Sequence, residues 1–169
     1  MTKKQKPEIL IIMGSDSDLP NIQSGLDYLK KLEVPFTARV CSAHKTPQLS
    51  AELASKAKEE GYRVIIAAAG MAAHLAGVFA AYTTLPVIAL PIASGSLQGM
   101  DALLAMVQMP PGIPVATVGI NASKNAAILA LEILALGNPT IAEKLEAEKE
   151  NLKKQIQEKD QKLQEKLGE

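Results

Sequence analysis

The chain has 169 residues and a mass of 17.9 kDa, the size of one domain able to bury a core. Eighteen Lys and Arg balance eighteen Asp and Glu, so no general basic surface exists to neutralise a nucleic-acid backbone. The single cysteine, Cys41, and the two histidines exclude an internal disulfide and a structural zinc site, which points to the cytoplasm.

In chain order, the β-branched run Glu8–Met13, ending at Gly14, predicts a strand buried on both faces. The basic residues before it are followed by an apolar stretch of only five residues, Ile9 to Met13, too short for a secretory signal. Asp18 caps a helix with Pro20 in its first turn that runs to Leu32. Val34–Cys41 predicts a second strand, and Thr46-Pro47 opens a helix to Glu60. There follow a strand over Tyr62–Ala69, a helix over Ala72–Tyr82, a strand over Pro86–Leu90, a helix over Met100–Gln108, a strand over Pro114–Val118 and a helix over Ala122–Leu136. This alternation predicts an α/β fold: a three-layer sandwich with a doubly wound, flavodoxin-like parallel sheet. After Gly137-Asn138-Pro139 comes a last helix whose apolar positions Ile141, Leu145, Leu152, Ile156, Leu163 and Leu167 form one stripe with an eleven-residue repeat. The expected organisation is a catalytic domain over 1–138 and a helical arm over 139–169 that docks on a neighbouring subunit.

Between Val64 and Ala142 only Asp101, Lys124 and Glu132 are charged, whereas Glu143 to Glu169 holds fifteen charges. Glycines and prolines break the uncharged middle, so no run of ~20 apolar residues could span a membrane. Burial between copies of the chain, in a tightly packed homo-oligomer, is the expectation.

Ligands of such sheets bind beyond the carboxyl ends of the strands, where three loops meet. Gly14-Ser15-Asp16-Ser17-Asp18 offers hydroxyls, amides and a helix N-terminus to a phosphate, with Asp18 able to cap or to accept from ribose hydroxyls. Ser42-Ala43-His44-Lys45-Thr46-Pro47 sets an imidazole, whose class titrates nearest neutrality, beside a cation. Gly70-Met71-Ala72-Ala73-His74-Leu75 leaves room for a small apolar guest, or packs helix tightly on sheet. No dinucleotide fingerprint or phosphate-loop lysine pattern is present, and a phospho-receiver would need an aspartate where Ala69-Gly70 stands.

Over Ile9 to Leu136 the sequence resembles the PurE family of purine biosynthesis, through Met13-Gly-Ser-Asp-Ser-Asp18, Ser42-Ala-His-Lys-Thr-Pro47, Gly70-Met-Ala-Ala-His-Leu75, and Gln108-Met-Pro-Pro-Gly-Ile-Pro114 followed by Asn125-Ala-Ala127. The resemblance implies a homo-octamer whose C-terminal helix docks on another subunit. The reaction it implies needs no ATP, metal or organic cofactor: N5-carboxyaminoimidazole ribonucleotide becomes its 4-carboxylated isomer, with His44 as general acid and base. Ser15 and Lys45 would bind the 5′-phosphate and Asp18 the ribose, while Ser17, Ser42, Ala43, Gly70, Ala72, Ala73, His74 and Leu75 would complete the substrate site. The segment Ser94-Gly-Ser-Leu97 would close it. Ala73-His74-Leu75 matches the mutase branch. Lys45, in place of its usual Arg, is familiar from the branch that carboxylates aminoimidazole ribonucleotide directly with carbon dioxide. Met71 and Ala76 replace a Gly and a Pro common in the mutase motif. A non-catalytic oligomeric ribonucleotide binder is the third reading.

Overall fold

Five consecutive apolar residues, Ile9–Met13, can be hidden only inside a sheet covered on both faces, and they form the fully buried strand β1. In the computed structural model, which describes residues 6–168, β1 is flanked by β2 (Phe36–Val40) and β3 (Val64–Gly70), with β4 (Val87–Ile92) and β5 (Ala116–Thr117) beyond. Of the basic stretch Met1 to Lys6 that precedes it, residues 1–5 lie outside the described residues. All neighbouring strands are parallel and their order is β2-β1-β3-β4-β5, the flavodoxin-like order.

Alternation along the strands divides the core. Ile9, Ile11 and Met13 join Ile66, Leu90 and the apolar faces of α1 (Leu19–Lys31) and α5 (Ser123–Ala135). Leu10, Ile12, Ile65 and Ala67 face α2 (Pro47–Lys56), α3 (Leu75–Tyr82) and α4 (Met100–Val107) through Leu53, Phe79 and Met106. With few aromatic residues, closeness comes from small ones. A methyl group on Gly25 of α1 would stand 2.6 Å from the Ser123 carbonyl oxygen of α5, while Ser123 Oγ accepts from the Gly25 N–H at 3.2 Å.

The element boundaries differ from the sequence expectation where local hydrogen bonds compete. α3 starts at Leu75 rather than Ala72, because the N–H groups of Ala73 and His74 donate to carbonyls only two residues back, at 2.8 and 2.9 Å. β4 runs through Pro91 to Ile92. Beyond Ala89 its outer side is met by a loop, not by β5, so the N–H that Pro91 lacks is not required there. α2 ends at Lys56, and a turn tied by Tyr62 N–H to Ala57 O completes the connection.

The terminal helix α6 (Pro139–Leu167) opens on Asn138, whose side chain accepts from Ile141 N–H. Its stripe is divided. Ile141 and Leu145 lie in the core beside α1 and α5, and Lys31 bonds Glu148 at 2.7 Å, whereas Leu152, Ile156, Leu163 and Leu167 are exposed. No helix among the described residues is long and apolar enough to cross a membrane.

Candidate functional site

The chain leaves β1 at Gly14, whose N–H donates to Ala68 O of β3, and leaves β2 at Cys41, whose N–H donates to Met13 O. These two bonds hold the ends of neighbouring strands level, so the loops that follow β1, β2 and β3 meet at one rim. Between them lies a cleft of about 390 Å³. Its walls include Ser15, Ser17, Asp18, Ser42, Ala43, His44, Lys45, Gly70, Ala72, His74 and Leu75. Every expected site residue but one thus faces it. Ala73 is the exception: at 1% exposure it belongs to the core beside α3 and serves to seat the loop.

The first loop is closed by its own side chains. Ser15 N–H donates to Asp18 Oδ2 at 3.0 Å and Ser17 N–H donates to Ser15 Oγ at 3.3 Å, a capping box that fixes a single 3-10 turn over Asp16–Asp18 before α1. Ser17 Oγ also donates to Ser15 Oγ at 2.8 Å, so the two hydroxyls are paired at the rim. Asp18 is only 9% exposed, and this burial pushes its carboxyl above the ordinary 3.8; the Ser15 N–H opposes the rise and neighbouring Asp16 adds to it. A desolvated carboxylate with an oxygen still unpaired by protein, as Asp18 Oδ1 is among the described residues, is a ready acceptor for a hydroxyl pair.

The second loop is held by Thr46. Its Oγ1 donates to Ser42 O at 2.9 Å and accepts from Ser42 N–H at 3.1 Å, while Lys45 N–H donates to Ser42 Oγ at 3.2 Å. His44 and Lys45 are thereby carried on a rigid turn. The third loop brings His74 to the same place. His44 Nε2 and His74 Nδ1 are 3.0 Å apart, with the rings edge to face at 83° and centroids 5.0 Å apart. One nitrogen must carry the proton and the other present its lone pair. A hydrogen-bonded imidazole pair, a lysine, two serine hydroxyls and a buried carboxylate therefore line one cleft, suited to hold a polar anionic ligand and to move a proton on it.

Sequence reasoning passed over Gly14, Ala69 and Met71 as site residues, and they too line the cleft. Ser94, expected in a closing segment, contributes as well. A methyl group on Gly70 would fall 2.1 Å from Ser94 Oγ, so the glycine admits the serine to the rim. A second cleft of about 380 Å³ at the opposite, amino end of the strands mixes Lys6, Glu8, Glu33 and Lys144 and contains none of the expected residues. Among the described residues no three metal-ligating side chains come together.

Comparison with known proteins extends these observations. A family described as AIR carboxylase matches residues 8–155. The chain is 54% identical over 154 residues to the N5-carboxyaminoimidazole ribonucleotide mutase of Pyrococcus abyssi, covering 91% of this chain and 88% of that protein. It is 53% identical over 134 residues to the phosphoribosylaminoimidazole carboxylase of Ogataea methanolica, covering 79% of this chain but only 25% of that longer protein. The crystal structure of Treponema denticola PurE superposes with a TM-score of 0.84 at 31% identity, covering 93% of this chain and 98% of that one.

Proposed function

We propose that this chain, which belongs to the AIR carboxylase family, is an N5-carboxyaminoimidazole ribonucleotide mutase. The observation that carries the reading is the His44–His74 pair, 3.0 Å apart, in the same cleft as Ser15, Asp18 and Lys45. Ser15, Ser17 and Lys45 bind the 5′-phosphate, the lysine as a point charge and the serines through their hydroxyls. Asp18 accepts from the ribose hydroxyls.

With the nucleotide held at that end, the imidazole ring of the substrate reaches His44. The N–carboxylate bond breaks, its electron pair stays on the exocyclic nitrogen, and His44 delivers a proton there, leaving carbon dioxide and a neutral amine. The ring carbon then gives its electron pair to that carbon dioxide, and His44 takes the displaced ring proton, which restores its starting state. His74, edge to face with His44, orients the ring and accepts or returns a proton through Nδ1. Gly70, Ala72 and Leu75 give that part of the wall no hydrogen-bonding side chain, which suits uncharged carbon dioxide.

The assembly belongs to the same proposal. Leu97, Met100, Leu104 and Val107 expose an apolar face on and before α4, and Leu152, Ile156, Leu163 and Leu167 expose another on α6. Covering both in a cytoplasmic homo-octamer, with no nucleic-acid or membrane partner, accounts for these exposed faces, the first of which belongs to the nearly charge-free middle of the chain.

The test gives purified protein either N5-carboxyaminoimidazole ribonucleotide, or aminoimidazole ribonucleotide with bicarbonate, and follows the 4-carboxylated product at matched low substrate. Faster turnover of the first supports the mutase. Faster turnover of the second favours the direct carboxylase, the reading to which Lys45 lends weight, and binding without turnover of either leaves a ribonucleotide-binding protein.

A further inference from the structure

The outer edge of β4 outruns its partner strand. β5 pairs only with Ile88 and Ala89, and after Val118 N–H donates to Ala89 O at 3.1 Å the chain turns away through Gly119 and Ile120. Asn121 then takes up the pairing one residue late. Its N–H donates to Pro91 O at 2.9 Å, and its side-chain Oδ1 accepts from Ala93 N–H at 2.9 Å. A residue of a parallel strand facing Ile92 would make the same two bonds, but would accept through its main-chain carbonyl. At Asn121 the backbone is left-handed, with φ +55°, and the main-chain carbonyl accepts instead from Ser123 N–H at 2.9 Å, so the side-chain amide stands in for it. Asn is among the few side-chain-bearing residues that adopt this backbone readily. Gly99 closes on the same spot from the other side: a methyl group there would lie 3.0 Å from Ala93 Cα and 2.8 Å from Ile120 Cγ2.

The residue delivered by this arrangement is Ser94. It follows Ala93, is partly buried, lines the cleft and lays its Oγ against Gly70, yet among the described residues that hydroxyl has no hydrogen-bond partner. It is also the one hydroxyl side chain that the loops after β3 and β4 bring to the cleft. In the order β2-β1-β3-β4, with neighbouring strands about 4.8 Å apart, the end of β4 lies about 10 Å from that of β1 and about 14 Å from that of β2, too far to share a phosphate with Ser15, Ser17 and Lys45. We propose that Asn121 is a positioning residue: its side-chain amide extends the edge of β4 to Ala93 and so fixes where Ser94 offers its hydroxyl to the part of the ligand beyond the phosphate. The inference rests on the reading of the cleft as a ribonucleotide site and adds to it a contact at the opposite end. A serine hydroxyl can donate to, or accept from, the polar groups of the sugar and the heterocycle.

The experiment is calorimetric titration with the 4-carboxylated ribonucleotide of wild type, Ser94→Ala, Asn121→Gly, Asn121→Asp and the double variant Ser94→Ala with Asn121→Gly, each repeated with inorganic phosphate as competitor. Ser94→Ala should raise Kd about fivefold, the scale of one lost hydrogen bond. Asn121→Gly removes the acceptor for Ala93 N–H and should raise Kd about threefold, while relief of the left-handed backbone offsets the lost bond and keeps thermal unfolding close to wild type. Asn121→Asp keeps an acceptor oxygen and should bind as wild type does. The deciding comparison is the double variant, which should bind no more weakly than Ser94→Ala alone, because Asn121 acts through Ser94. Inorganic phosphate, bound at the other end of the cleft, should compete equally in every protein. Losses that multiply in the double variant, or weaker competition by phosphate in Asn121→Gly, would make Asn121 a general support of the fold and overturn the inference, as would wild-type affinity in Ser94→Ala. Each of those results leaves the proposed function standing so long as the wild-type chain binds the ribonucleotide, and a wild-type chain that does not bind it removes both.

Discussion

Replacing Gly25 with alanine sets two effects against each other. In the interior of α1, alanine is favoured over glycine by about 0.8–1.0 kcal/mol on helix propensity alone. The new methyl group, however, would stand 2.6 Å from the Ser123 carbonyl oxygen and 2.9 Å from its carbon, both backbone atoms of α5 that cannot rotate away. To reach an ordinary contact of 3.4 Å or more, the two helices must separate by most of an ångström. Overpacking of this kind costs about 1–3 kcal/mol. Separation also stretches the Gly25 N–H to Ser123 Oγ bond and the 2.6 Å Ser24–Ser123 hydroxyl contact, worth about 0.5–1.5 kcal/mol each. Packing wins, with a net loss of about 2 kcal/mol, which lowers the melting temperature by about 4–8 °C in a chain of this size. Gly137→Ala is the control. Nothing lies within 4 Å of its built methyl group and no positive φ opposes it, so it should be neutral or stabilising by about 0.4–1 kcal/mol. Thermal and urea unfolding at matched protein concentration measure both. A Gly25→Ala protein as stable as wild type would refute the close approach of α1 and α5.

Three further predictions concern the cleft and the assembly. Asp18→Asn keeps an acceptor for Ser15 N–H and removes a buried charge. Because burial raises the folded-state pKa above 3.8, the wild-type carboxyl gains relative stability as pH falls through that raised value. Asp18→Asn should therefore be at least as stable as wild type at pH 7, with its advantage fading toward pH 3.8 in urea titrations, while its KM for the ribonucleotide rises about tenfold or more. Lys45→Ala should raise KM by at least about tenfold and flatten its dependence on ionic strength, and Lys45→Arg should restore both; salt dependence left unchanged in Lys45→Ala would remove the lysine from phosphate binding. Sedimentation should show a species far heavier than 17.9 kDa, and deletion of residues 151–169, which spares Ile141 and Leu145, should weaken assembly more than it lowers domain stability. A stable monomer would leave the exposed faces of α4 and α6 unexplained.

The buried strands were legible because β1 and β3 lie inside the sheet and must be apolar on both faces, a pattern that needs no tertiary information. β2 and β5 were placed but drawn too long. β2 is an edge strand, half exposed, and β5 pairs only with Ile88 and Ala89, so nothing in their local apolar pattern marks where pairing stops. The predicted fourth strand stops at Leu90, whereas β4 continues through Pro91 to Ile92, because a missing donor matters only where a partner strand is present to accept. The three site loops were legible because Ser, Asp, His and Lys gather in the segments that follow strands, the edge where a doubly wound sheet binds its ligands. The place of Met71 in the cleft, the Gly70–Ser94 contact and the burial of Ala73 were not legible, because each depends on how two loops distant in sequence approach. The left-handed backbone of Met71 and the Gly70–Ser94 contact exist only in the folded rim.

The central claim is that His44 carries the proton while its neighbours carry the ribonucleotide, and His44→Asn tests it most directly. Calorimetric titration with the 4-carboxylated ribonucleotide, run beside a turnover assay, should give a Kd within a few-fold of wild type and a rate reduced by about 10²–10⁴. Conversion at the wild-type rate, with binding intact, would contradict the account.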